Sequence, residues 1–262
     1  MNIKKYSMLV LALLGFFQTN ALASTKGFEA TFTDIEVVID GHGQEAVWQQ
    51  ANWYPLDQLI LGQPVSNDDF TGRFQLAWDN NYLYLRAEIS DDILIDRYAD
   101  PLLRYWDDDC LEIFIDEDGS GGEHQNNFNA FAYHVALDNQ VADIGPLKIN
   151  KQTNEQETNF ILLNDHVSSV WQRSTTAPHL ITWELAIKIY SDKFKIGENK
   201  DASRVSLKEH KKLGFMLAYC DNDGSEERES FIGSTFIKGI NGDKNLGYKT
   251  ADVFESLILK AK

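Results

Sequence analysis

The stretch from residue 105 to residue 116 reads Tyr105-Trp106-Asp107-Asp108-Asp109-Cys110-Leu111-Glu112-Ile113-Phe114-Ile115-Asp116. Its second half alternates. Successive side chains of an extended chain point to opposite sides, so Leu111, Ile113 and Ile115 share one face and Cys110, Glu112 and Phe114 share the other. The first face is an apolar row that belongs against a core. Glu112, opposite it, is either a solvated or ion-paired carboxylate of an exposed sheet face, or an acceptor lining a concave binding surface. Trp106, just ahead of the strand, is costly to leave bare unless it packs or meets a ligand.

Similar short runs, rich in β-branched and aromatic residues, recur at 35–39, 73–78, 82–89, 109–116, 128–137, 160–163, 167–173, 180–190, 213–220, 230–237 and 254–259. Turn chemistry separates them: Asp79-Asn80-Asn81 reads as a hairpin, and Asp138-Asn139 and the glycine-bearing loop 116–123 punctuate others. Helical patterning is confined to 44–52, about two turns, and to 203–212 within the polar stretch 191–212. This pattern predicts an all-β fold, an antiparallel β-sandwich of jelly-roll type with one or two short helices. It forms a single domain over residues 24–262.

The first 23 residues read as a secretory signal peptide. Lys4 and Lys5 precede an apolar run from 8 to 17, and Ala21-Leu22-Ala23 supplies the small-residue cleavage site. That run is too short for a bilayer core of ~30 Å. The expectation is therefore an exported protein, periplasmic or secreted, with no membrane insertion and no cysteine placed for a lipid anchor. The chain carries 24 basic and 40 acidic residues, a formal charge of −16, which repels nucleic acid and anionic lipid. Acidity of this kind serves solubility, and it also suits cations and uncharged polar ligands such as neutral sugars. Cys110 and Cys220 both fall in predicted strands, either bridged or buried as free thiols.

Three other chemistries are open to these residues. Asp116, Asp118 and Ser120 place oxygen ligands at alternate positions with Gly121 sixth, the opening of a calcium loop, although Asn127 stands twelfth where a glutamate would close it. A structural calcium is compatible with this, no cofactor is required, and Asp221-Asn222-Asp223 is a second acidic turn. A glycoside hydrolase is the alternative reading; Asp107 and Asp109 would share a strand face ~6.6 Å apart, but any strand provides that spacing. The third is a haem-carrying or interaction module, for which Met216 is the one methionine beyond the leader and the six histidines show no ligand spacing.

The ordered set Ile39-Asp40-Gly41 with Trp48, residues 76–85, residues 106–116, Trp183-Glu184-Leu185-Ala186-Ile187-Lys188, Gly214-Phe215 leading to Asp221, and Leu257-Ile258-Leu259 resembles family 9 carbohydrate-binding modules, often appended to secreted xylanases. The resemblance implies non-catalytic binding of a mono-, oligo- or polysaccharide through an aromatic clamp. Trp106 matches one wall, and Tyr248 falls at the other, where the family usually has tryptophan. Glu112 and Asn245 match the hydroxyl-binding positions. Where the family's best-known binders use an arginine on the strand after the acidic motif, this chain offers Tyr133 and His134. Tyr133 is then the candidate at that place, and Asp109 a further hydroxyl partner.

Overall fold

The computed structural model describes residues 27–261; the expected signal peptide lies outside them. In chain order the strands are β1 (Phe28–Phe32), β2 (Tyr54–Leu56), β3 (Gln58–Gly62), β4 (Phe70–Trp78), β5 (Leu83–Asp91), β6 (Cys110–Asp116), β7 (Phe131–Ala136), β8 (Val141–Ile149), β9 (Gln156–Leu162), β10 (Val167–Arg173), β11 (Ile181–Ile187), β12 (Lys212–Asp221), β13 (Ser230–Gly233) and β14 (Glu255–Leu259). They form two layers. One runs β10-β11-β5-β4, with β2 beside β4; the other runs β14-β12-β6-β7-β8-β9, with β13 and β3 beyond the far half of β12. β1 belongs to both: Phe28–Ala30 pair in parallel with β14 and Thr31–Phe32 in parallel with β4. The other pairings are antiparallel, as expected of a sandwich.

Between the layers lies the main core. Phe74, Leu76, Leu85, Trp183 and Leu185 from one sheet meet Leu111, Ile113, Ile115, Phe215, Leu217 and Tyr219 from the other, all buried. The apolar row of β6 therefore faces inward, as its alternation requires. The opposite face of the β6 sheet is covered too. Phe114, Ala132, Met216 and Ala218 pack beneath Ile237, Leu246 and Phe254, contributed by the irregular segment between β13 and β14.

Several elements depart from expectation. Residues 35–39 form no strand; Val37 is buried against Trp48 and Tyr84 while Ile35 and Val38 stand exposed, a wrapped segment without a ladder partner. The expected helix at 44–52 is a single 3-10 turn, Ala46–Gln49, and the one expected at 203–212 gives way to a 3-10 turn at Lys200–Ala202. β8 carries Gly145-Pro146, which interrupts the strand pattern in the sequence, and the ladder to β9 slips between Gly145 and Lys148 where proline cannot donate. Of the two states open to them, Cys110 and Cys220 take that of free, buried thiols.

One backbone contact decides how β3 meets β13. Gly62 has φ +91°, and a Cβ there would lie 2.0 Å from the Glu229 carbonyl oxygen. Gly62→Ala is expected to destabilise the fold by about 1–3 kcal/mol, read as a lower urea midpoint.

Candidate functional site

On the covered face of the β6 sheet lies a cavity of about 340 Å³. Trp106, Glu112, Asn245 and Tyr248 line it, together with Tyr105, Gln125, His134, Ile144, Thr158, Phe160 and Arg228. Strand parity supplies its floor. Glu112 sits across from His134 of β7 in register, and the residue is 2% exposed. Oε1 collects every donor: His134 Nε2 at 2.7 Å, Arg228 Nη1 at 2.9 Å and the Cys220 thiol at 3.0 Å. Oε2, with no partner among the described residues, is the acceptor left to the cavity. Burial by itself would raise the Glu112 carboxyl, but the charge and hydrogen bond of His134, together with Arg228, outweigh it and hold the group at about 2. It stays ionised. Arg228 stacks over Phe231 at 4.2 Å, and its Nε and Nη2 have no acceptor among the described residues.

The wall is aromatic. Tyr105 packs edge-on against Trp106, with centroids 5.0 Å apart, and Phe160 of β9 lies 5.6 Å from both rings. The three aspartates that follow Trp106 fasten its loop. Asp107 accepts from Arg104 Nε at 2.8 Å, Asp108 from the backbone amides of Arg97 and Tyr98 at 2.9 and 2.7 Å, and Asp109 from the amides of Ile95 and Asn222 at 2.6 and 2.8 Å. Carboxylates accepting backbone amides are a strong way to hold an irregular segment. Asn245 donates its backbone amide to Asp243 Oδ1 at 2.8 Å, and its side-chain amide has no partner among the described residues; the Lys249 ammonium lies 4.9 Å from the Tyr248 ring centroid.

Two expected site residues lie elsewhere. Tyr133 pairs with Ile113, so it faces the core, where its hydroxyl hydrogen-bonds His166 Nδ1 at 2.9 Å; the neighbouring His134 takes the place beside Glu112. Asp109 has the parity of Leu111 and turns toward the end of the core. Tyr133→Phe is expected to cost about 1–2 kcal/mol of stability through the unsatisfied His166 while leaving any ligand affinity of the cavity within about twofold, checked by denaturation and titration. Arg228 escaped the sequence reading because it sits in Glu226-Glu227-Arg228-Glu229 and looks like one solvated charge among many. No periodicity marks it.

A second cluster gathers where Asp109 points. Asp91 at the end of β5, Asp109, and Asp221 at the end of β12 offer oxygens within 4.8 Å of one another, and Asp69, Asp92 and Asp223 form a similar group. Asp221 is 2% exposed and its Oδ1 is buried without a partner. Burial and then the neighbouring Asp91 push Asp109 up to about 9 and Asp221 up to about 8; burial lifts Asp91 to about 6 even though Tyr219 donates to it at 2.6 Å. Buried like charges without a counterion are strongly unfavourable. An oxygen-only donor set with an orphaned buried carboxylate oxygen fits a hard divalent cation such as calcium.

The expected calcium loop after β6 is built differently. Asp116 spends its oxygens on the amides of Gly121, Gly119 and Asp118 at 2.7, 3.1 and 3.3 Å, and Asp118 accepts from the Ser120 amide at 3.0 Å. The loop is closed by its own backbone. Met216, the one methionine beyond the expected leader, is buried in the apolar layer behind the cavity.

Comparison with known proteins follows the same lines. A family model for the carbohydrate family 9 binding domain-like family matches residues 39–262. Endo-1,4-beta-xylanase A of Thermotoga maritima is 34% identical over 80 residues, which cover 30% of this chain and 7% of the xylanase, so the chain spans only a small part of that relative. Among solved structures, a carbohydrate binding module family 9 from Caldicellulosiruptor kristjanssonii in complex with cellotriose superposes with TM-score 0.60 at 18% identity, covering 90% of this chain and 95% of the module. The glucose complex gives 0.61 at 17% identity, with 90% and 97% covered. A putative carbohydrate-binding protein from Bacteroides uniformis gives 0.55 at 13% identity, with 90% and 99% covered. At these identities the structures speak to the fold.

Proposed function

The chain belongs to the carbohydrate family 9 binding domain-like family, and on that premise we propose that it binds a saccharide, without cleaving it, in the cavity between Trp106 and Tyr248. The observation that carries this is the cavity's pairing of aromatic wall with mixed floor. A pyranose has an apolar C–H face and a rim of hydroxyls that each donate and accept. Aromatic rings suit the face. Glu112 Oε2 as acceptor beside the free nitrogens of Arg228 as donors, with Asn245 and Gln125 at the edge, suits adjacent hydroxyls better than it suits a carboxylate or a cation. The glucose and cellotriose held by the Caldicellulosiruptor modules make those two sugars the first probes. If each of two rings covers about 100 Å², the apolar contribution is about 5 kcal/mol, offset in large part by association and ordering costs. That places Kd between roughly micromolar and millimolar.

Titration of the purified protein with glucose, cellotriose and a panel of other saccharides, followed by tryptophan fluorescence, is expected to give a saturable change for at least one sugar. Glycoside hydrolysis uses two carboxylates across the scissile bond, and among the described residues Glu112 is the carboxylate lining the cavity; incubation with polysaccharide is expected to release no new reducing ends. We also propose that Asp91, Asp109 and Asp221 hold a calcium ion that fixes the loop carrying Trp106, and that the protein is exported. Amino-terminal sequencing of the mature form should then begin at Ser24.

A further inference from the structure

Behind the cavity floor lie two side chains to which saccharide binding assigns nothing. Cys110 of β6 and Cys220 of β12 are register partners, both free, and 1% and 0% exposed. Directly opposed residues of an antiparallel pair hold their Cα atoms ~4.5–5.5 Å apart, inside the ~4.4–6.8 Å range of disulfides. The two sulfurs and a Glu112 carboxylate oxygen lie within 4.8 Å of one another. Cys220 Sγ donates to Glu112 Oε1 at 3.0 Å and accepts from Arg228 Nη1 at 2.9 Å. A soft metal ion is a poor occupant of this group, because the Arg228 guanidinium already supplies the cation between Glu112 and Cys220 and burial pushes both thiols up, away from the thiolate a metal needs.

We propose that Cys110 and Cys220 form a redox pair whose closure into a disulfide withdraws the Cys220 S–H donor from Glu112, so that thiol oxidation sets the ligand affinity of the cavity. The affinity half of this rests on the saccharide reading above. The step is thiol–disulfide exchange with an external disulfide. One cysteine attacks a sulfur of the oxidant and releases one thiol; the second cysteine attacks the mixed disulfide, forms the Cys110–Cys220 bond and releases the other. The pair loses two protons and two electrons, and the oxidant's S–S bond takes them up as two thiols. Because both sulfurs are buried, exchange proceeds during folding or through local opening rather than by direct attack on the closed structure.

The test poises the protein in reduced and oxidised glutathione buffers, counts free thiols by alkylation after denaturation, and follows the Glu112 carboxyl ¹³C resonance alongside the Kd for cellotriose or whichever sugar binds. Oxidation is expected to close one intramolecular disulfide, to move the Glu112 resonance, and to change Kd by about threefold to tenfold, the span of a single hydrogen bond. Cys110→Ala retains the Cys220 donor and should behave as the reduced protein in both buffers; Cys110→Ser replaces it if the alanine variant folds poorly. The proposal is overturned if no disulfide forms where the denatured chain forms one, or if the disulfide closes and the Glu112 resonance stays in place. A resonance that moves while neither redox form binds any sugar upholds the coupling at Glu112 and overturns the saccharide reading and the affinity half with it.

Discussion

Replacing Trp106 by alanine is expected to weaken saccharide binding by roughly sixtyfold while leaving the fold intact. The magnitude follows from one ring covering about 100 Å² of sugar at about 25 cal/mol/Å², close to 2.5 kcal/mol, with 1.4 kcal/mol to each factor of ten. The fold should survive because the indole lines the cavity and is only partly buried, braced at its edges by Tyr105 and Phe160, and because the loop beneath it is held by Asp107, Asp108 and Asp109 through backbone amides and Arg104 rather than by the ring. Trp106→Phe should recover much of the affinity. Calorimetric titration beside a thermal melt checks both halves; unchanged affinity in the alanine variant would remove Trp106 from the site.

Calcium is expected to raise the thermal midpoint at pH 8 by about 5–10 °C when supplied at a hundredfold excess over its Kd, where mass action yields about 2.7 kcal/mol. The sign of the pH dependence follows from the raised carboxyls. Asp91, Asp109 and Asp221 sit at about 6, 9 and 8 in the folded state, above the ordinary value near 4 of an unfolded chain. Between those limits the folded protein holds protons that the unfolded chain has already released. Stability in chelator therefore falls as pH rises from about 4 toward about 9, and a bound cation offsets the loss by replacing the protons. Differential scanning fluorimetry at pH 5 and pH 8, with chelator or calcium, should show a widening gap, and Asp221→Asn should abolish most of it. A midpoint indifferent to calcium at pH 8 would count against a cation there.

Local patterning made the sandwich legible, and its limits are specific. β6 could be oriented from Leu111, Ile113 and Ile115 alone, since a buried row must alternate. The same parity would have excluded Tyr133 had its register with Ile113 been known, but pairing between strands is invisible in one chain. Residues 35–39 carry β-prone side chains and still form no strand, because a strand also needs a partner with free backbone groups. Parity alone puts Glu112 opposite the core, yet its burial depends on Arg228, His134 and the 234–254 segment, brought together from distant parts of the sequence. The acidic cluster shows the same limit. Asp91, Asp109 and Asp221 each end or precede a strand and look like ordinary polar punctuation until the sheets align them. Asp116, Asp118 and Ser120 have the spacing of a cation loop, and in the structure Asp116 and Asp118 also accept backbone amides of that loop.

The most direct test of saccharide binding in this cavity is the response of the tryptophan indole N–H resonances to added glucose or cellotriose in protein labelled with ¹⁵N. The chain has six tryptophans, of which Trp48, Trp78 and Trp183 are buried in the two apolar layers away from the cavity. The expected result is a saturable shift at Trp106 with those three unmoved. Saturation with Trp106 unmoved, or no shift at any tryptophan with either sugar or the wider panel, would contradict it.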